Sequence, residues 1–112
     1  MTRYPIHVTH DPYRGADKRK QEKRARYNAD ATRLETCINE VLLKQTSAVQ
    51  VYLWNEFSDQ TGLSFERISD LGYSIDGGSN GFTAWRHDLT YEQAIAANEV
   101  VVAGHAPTKR YQ

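Results

Sequence analysis

Cysteine occurs once in these 112 residues, proline three times, and the net charge is zero, with fourteen Lys and Arg balancing fourteen Asp and Glu. Cys37 alone can make no internal disulfide and no cysteine-built zinc cage. It falls among apolar residues at helical spacing, so it reads as a small core residue rather than a redox or catalytic thiol. Long apolar runs are also missing. None nears the roughly 18 to 20 residues of a membrane-spanning helix. The opening Met-Thr-Arg-Tyr-Pro-Ile-His-Val lacks the apolar segment of a secretory signal. A cytoplasmic protein without membrane association is expected. No internal repeat or low-complexity tract is present.

A chain of this length suits one small domain that buries roughly two-thirds of its unfolded surface. Its 39% hydrophobic and 25% charged residues fit a soluble globular protein with polar ends. The zero net charge hides a division. Through residue 33 there are nine Lys or Arg against four Asp or Glu. Over residues 34–102 there are three basic residues (Lys44, Arg67, Arg86) against ten acidic ones, and Lys109 and Arg110 follow. A basic arm precedes an acidic body.

Residues 1–16, with Pro5, Pro12 and Gly15, read as an extended arm or loosely tethered leader. Lys18 to Arg26 is rich in helix formers without an apolar stripe. Leu34, Cys37, Ile38, Val41 and Leu42 then recur three and four apart, marking one apolar helical face. Joined, these stretches predict a long first helix whose front half projects into solvent. A second helix is expected from about Ser47, with Val49, Tyr52, Leu53, Trp54 and Phe57 making it widely apolar. On a helix, Tyr52 and Trp54 would point in nearly opposed directions and not into one core. Gly62 breaks that helix, and Ser64 is a good N-cap for a third, with Phe65, Ile68 and Leu71 inward and Gly72 at its end.

Residues 73–88 carry two runs rich in aromatic and β-branched residues around Gly77-Gly-Ser-Asn-Gly81, the pattern of a β-hairpin. Within it Trp85 and His87 share one face of a strand and Ala84 and Arg86 the other. Thr90 and Gln93 have capping-box spacing ahead of a final helix with Ile95 and Val102 inward. The expected organisation is a basic arm over 1–28, a mainly helical domain with a short hairpin over 29–103, and a flexible tail over 104–112.

Enzyme chemistry finds little support. His7-x-x-His10 is the one close histidine pair and has no third ligand nearby. No serine or cysteine has a nucleophile's context, and the glycine-rich loop lacks the lysine and spacing of a phosphate-binding loop. No catalytic residue, metal or cofactor is expected.

The segment Phe57-Ser-Asp-Gln-Thr-Gly-Leu-Ser-Phe-Glu-Arg-Ile-Ser-Asp-Leu71 resembles the helix-turn-helix unit of small bacterial and phage DNA-binding regulators. The resemblance covers residues 51–71. It rests on the small Ser58, the turn glycine Gly62, and the aliphatics Ile68 and Leu71. The hairpin after it is placed like the wing of a winged helix. The resemblance implies that the third helix enters the major groove of duplex DNA. Ser64, Phe65, Glu66, Arg67, Ser69 and Asp70 would then be exposed to it, with Arg67 reading a guanine edge and Glu66 a cytosine amine. The hairpin tip, with Ser79 and Asn80, would touch phosphate or the minor groove, and Arg86 would add a further DNA contact. Lys18, Arg19, Lys20, Lys23, Arg24 and Arg26 would track phosphates.

Two functions follow. The first is a small, dimeric DNA-binding transcriptional regulator of phage or mobile-element type. The second is a non-enzymatic inhibitor or adaptor, such as an anti-defence or anti-CRISPR protein, that docks its charged and aromatic surface on a larger host complex. The surplus aromatics suit a partner or homodimer interface.

Overall fold

The computed structural model describes residues 2–75 and 80–104, with residues 98–104 described by backbone alone. Among these residues the fold is mainly helical, with four helices and one two-stranded antiparallel sheet. In chain order they are α1 (Lys18–Leu43), β1 (Val49–Leu53), a 3-10 turn (Trp54–Phe57), α2 (Ser58–Thr61), α3 (Phe65–Gly72), β2 (Gly81–Trp85) and α4 (Tyr91–Gly104).

The long first helix forms as expected. Asp17 caps its start, its carboxylate accepting from the Lys20 N–H at 3.1 Å. Ala31, Leu34, Ile38 and Leu42, three or four residues apart, bury one stripe completely or nearly so. Past the end of α1, the buried Gln45 ties the helix to the sheet. Its side-chain amide donates to Ala84 O at 3.1 Å and to Ser47 O at 2.9 Å, and its oxygen accepts from the Tyr52 hydroxyl at 2.8 Å.

The leader is extended, but it is docked rather than loose. Ile6 and Val8 are buried in the core. The leader runs antiparallel to α1 and is held by polar side chains on one helical face. Asn39 accepts from Ile6 N–H, Glu35 from Val8 N–H and Asn28 from Asp11 N–H, at 2.9, 2.8 and 2.7 Å. Arg24 donates to Tyr13 O at 2.6 Å and Gln21 to Gly15 O at 2.8 Å. Residues 21, 24, 28, 35 and 39 fall on one face because their separations are whole helical turns. The boundary drawn at residue 28 therefore lies inside α1, and the leader belongs to the domain. Of the expected tail over 104–112, residues 105–112 lie outside the described residues.

The second helix expected from Ser47 is instead β1 followed by the 3-10 turn. Val49-Gln-Val-Tyr-Leu53 is β-branched and short, a pattern that fits either element until a partner decides. The partner is β2, in the register Val49↔Trp85, Val51↔Thr83 and Leu53↔Gly81. The hairpin expected over 73–88 is thus corrected: β2 is one of its strands, but the other strand of the sheet is β1, while Tyr73–Ile75 form a turn after α3. The strand assignment also reverses the reading of Tyr52 and Trp54. Both are buried, and both pack on Phe82 with ring centroids 5.3 and 5.2 Å away. Phe57 joins them at 6.1 Å. Positions two apart on an extended chain share a face, which helical geometry would have separated.

The Thr61-Gly62 turn forms as expected between α2 and α3. Gly62 adopts φ 76°, the left-handed conformation that glycine takes without a Cβ penalty. Ser64 caps α3 through its hydroxyl, which accepts from Arg67 N–H at 3.1 Å. Ile68 and Leu71 are buried as expected, but Phe65 is 42% exposed. It sits at the first position of α3, ahead of the stripe that Ile68 and Leu71 define. The first helix of the pair is a single α turn extended by the 3-10 turn. At α4 the capping box is present: Thr90 and Gln93 exchange side-chain and backbone bonds at 2.9 and 3.1 Å. Ile95 is half-buried and Ala94 buried, while the side chain of Val102 lies outside the described residues.

Candidate nucleic-acid interface

The basic cluster of the sequence becomes the front half of α1. The core first touches this helix at Tyr27 and Ala31, so residues 18–26 extend ~13 Å beyond it at 1.5 Å per residue. The molecule is accordingly elongated, with extents of 56 × 25 × 23 Å. Lys18, Arg19, Lys20, Lys23 and Arg26 are exposed and Arg24 is half-buried.

These cations divide by role. Arg24 and Lys20 hold the leader, Arg24 through Tyr13 O and Lys20 with its ammonium 5.7 Å from the centre of the Tyr13 ring. Lys18, Arg19, Lys23 and Arg26 make no hydrogen bond or ion pair among the described residues. Arg19, Lys23 and Arg26 recur at steps of four and three, and the same stripe continues through Asp30 to Arg33. Arg33 is exposed and donates to Thr61 O at 3.3 Å, joining α1 to α2.

Arg67 completes that stripe from α3. Its Nε donates to Asp30 Oδ2 at 2.9 Å, and its guanidinium carbon lies 5.2 Å from the centre of the Tyr27 ring. Both partners are on α1, so Arg67 faces the helix. The one carboxylate in the row 19, 23, 26, 30, 33 is thereby balanced. Burial, and then the nearby Asp70 carboxylate, push the Tyr27 phenol above its ordinary pKa, against the opposing pull of Arg67.

The remaining residues expected at the interface are scattered. Ser64 is spent on capping α3. Phe65, Glu66 and Asp70 are exposed and Ser69 half-buried. Tyr73, just past α3, is 93% exposed. The outer side of α3 is therefore aromatic and acidic. Ser79 lies outside the described residues; Asn80 is exposed and its carbonyl accepts from Trp54 N–H at 2.9 Å. Arg86 is committed to Asp88 at 2.6 Å and Thr46 O at 2.9 Å, at the opposite end of β2 from Asn80.

Sequence reasoning missed Asp30, Tyr27 and Arg33. The stripe 19, 23, 26, 30, 33 was present as a helical spacing, but nothing in the chain says that Arg67 packs against it. Of the four histidines, His105 lies outside the described residues. His10 bonds Val8 O and Thr32 Oγ1, and among the described residues no group of three His, Cys, Asp or Glu is placed to hold an ion. No helix among the described residues is long and apolar enough to cross a membrane. Comparison with family models, with curated proteins and with solved structures gives no match.

Proposed function

We propose that this is a small DNA-binding regulator that catalyses no reaction and grips duplex DNA through α1. The observation that carries the reading is the row of Arg19, Lys23, Arg26 and Arg33 along one face of α1, with the intervening Asp30 balanced by Arg67. From residue 19 to 33 this row spans ~21 Å. Contacts to phosphate supply most of the affinity of such surfaces and make it steeply salt-dependent. In this reading α3 is braced beside the duplex by Arg67 instead of reading a guanine with it. Phe65, Glu66 and Ser69 are its side chains nearest to bases, and sequence discrimination is weaker than a helix-turn-helix reader with a free arginine would give.

Fluorescence anisotropy with a labelled mixed-sequence duplex across a salt series tests this. Binding should weaken steeply with salt, and the triple variant Arg19→Gln, Lys23→Gln, Arg26→Gln should lower the slope by about 0.9 for each phosphate that is no longer neutralised. No binding at low salt, or a triple variant that behaves as wild type, would overturn it.

A second reading draws on the exposed Phe65 and Tyr73, which flank the exposed Glu66 and Asp70 in the chain. An aromatic and acidic patch suits the basic surface of a protein partner, in keeping with an inhibitor or adaptor. The two readings share Phe65 and Glu66, and differ in the α1 row, which only the first uses, and in Tyr73, which only the second uses. Tyr73→Ser, at a side chain the first reading does not use, leaves DNA affinity unchanged under the first and weakens partner binding under the second.

A further inference from the structure

We propose that the free edge of β1 is a self-association surface, on which a second copy of this chain pairs antiparallel about Val51.

The β1–β2 ladder determines which backbone groups are spare. Arg86 N–H donates to Ala48 O and Trp54 N–H to Asn80 O, each at 2.9 Å. In an antiparallel pair, directly opposed residues exchange bonds at every second position. With the observed register, the groups facing β2 belong to Ala48, Gln50, Tyr52 and Trp54. Val49, Val51 and Leu53 therefore direct N–H and C=O away from β2. The Leu53 N–H is already satisfied by the Glu56 carboxylate. Val49 and Val51 have no such cap among the described residues.

The other edge of the sheet is closed. Thr2 lies parallel to β2, donating to Thr83 O at 2.9 Å and accepting from Trp85 N–H at 3.0 Å. Thr2 thus pairs with the β2 edge, whereas among the described residues no strand pairs with the β1 edge, although α4 approaches β1. Native edge strands ordinarily carry a proline, a charge or a bulge against pairing. β1 has none of these, and its register is unbroken over all five residues. Its Val51 and Leu53 are 57% and 45% exposed.

Two-fold pairing about Val51 matches what is spare. The two Val51 residues exchange N–H to C=O bonds, and Val49 N–H of each copy donates to Leu53 C=O of the other. The one outward donor this register leaves over is Leu53 N–H, which Glu56 holds. Val51 side chains meet across the axis and Leu53 meets Val49, covering the exposed apolar strip. Lys44 lies before β1, and Glu56 and Asp59 lie after it. Antiparallel pairing sets the basic end of one strand against the acidic end of the other. The contact closes on itself and gives a dimer, not a fibre. It is small, so the dimer is weak and concentration-dependent.

Sedimentation equilibrium of the full chain from roughly 1 μM to 1 mM reads this directly. The wild type should move from monomer to dimer mass and no further. Val51→Lys places like charges together at the axis. Val51→Pro removes the central donor without touching the β1–β2 ladder. Both should keep the wild-type circular dichroism and remain monomeric. Amide exchange needs no variant: the Val49 and Val51 amides of the wild type should slow as concentration rises. A wild type that stays monomeric, variants that dimerise like it, growth past the dimer, or concentration-independent exchange would each overturn the proposal. None of these readouts depends on DNA binding.

Discussion

Asp30 Oδ2 accepts a 2.9 Å hydrogen bond from Arg67 Nε, joining α1 to the start of α3 with side chains that are 23% and 32% exposed. The pair ties the third helix to the first and removes a lone carboxylate from a basic row. Arg67→Ala should cost about 1 kcal/mol, since a partly exposed ion pair and a ring contact are each worth roughly that or less. It should also weaken DNA binding, because Asp30 is then unbalanced. The double variant Asp30→Ala, Arg67→Ala separates the possibilities by anisotropy. Affinity should return toward wild type if Arg67 acts on Asp30, whereas a double variant as weak as Arg67→Ala would show that Arg67 touches DNA itself.

Gly72, the last residue of α3, lies flat against Trp54. A Cβ there would stand 2.6 Å from the indole ring, which is fully buried. Helix propensity alone favours alanine by up to about 1 kcal/mol. Overpacking should win, and Gly72→Ala should lose about 1–3 kcal/mol in urea denaturation. A stabilised variant would mean that Trp54 is free to shift.

The docked leader makes its own prediction. Ile6→Ala should cost about 2 kcal/mol or more through the cavity it leaves. Glu35→Ala strips the Val8 N–H of its acceptor, at about 1–3 kcal/mol if water cannot replace it. Variants that both stay within about 0.5 kcal/mol of wild type would show that the leader adds nothing to the domain.

Alkaline pH should lower the stability of the fold. Burial, aided by Glu40, raises the Cys37 thiol above its ordinary 9.0. Burial first, then neighbouring carboxylates, raises the phenols of Tyr27 and Tyr52 above 10.0. Groups raised in the folded state hold protons more tightly there than in the unfolded chain. Their contribution is complete below the ordinary values and is lost as pH climbs through the raised ones. Urea midpoints should be level near neutrality and fall above about pH 9. Cys37 should react with iodoacetamide more slowly in the folded protein than in urea, and equal rates would contradict the raised thiol.

Several elements were legible in the chain because their causes are local. Asp17 and Ser64 are caps, Gly62 is a left-handed turn, Thr90 and Gln93 make a capping box, and Leu34, Ile38 and Leu42 repeat at helical spacing. Each needs only its neighbours. The basic cluster from Lys18 to Arg26 is equally local, and only its sorting into leader-holding and solvent-facing cations was hidden.

Tertiary structure decided the rest. Val49 to Leu53 is five residues of apolar and β-branched chain, too short for periodicity to tell strand from helix. It became β1 because Gly81 to Trp85, some thirty residues away, offered it a ladder. That choice put Tyr52 and Trp54 on one face with Phe82 and left the sheet with one edge on which, among the described residues, no strand pairs. The leader looked loose because its anchors lie on α1, in Asn28, Glu35 and Asn39. Arg67, on a helix whose sequence presents it as a reader, turned to Asp30 for the same reason: the sequence sets which groups are available, and only packing brings a charge within reach of its partner.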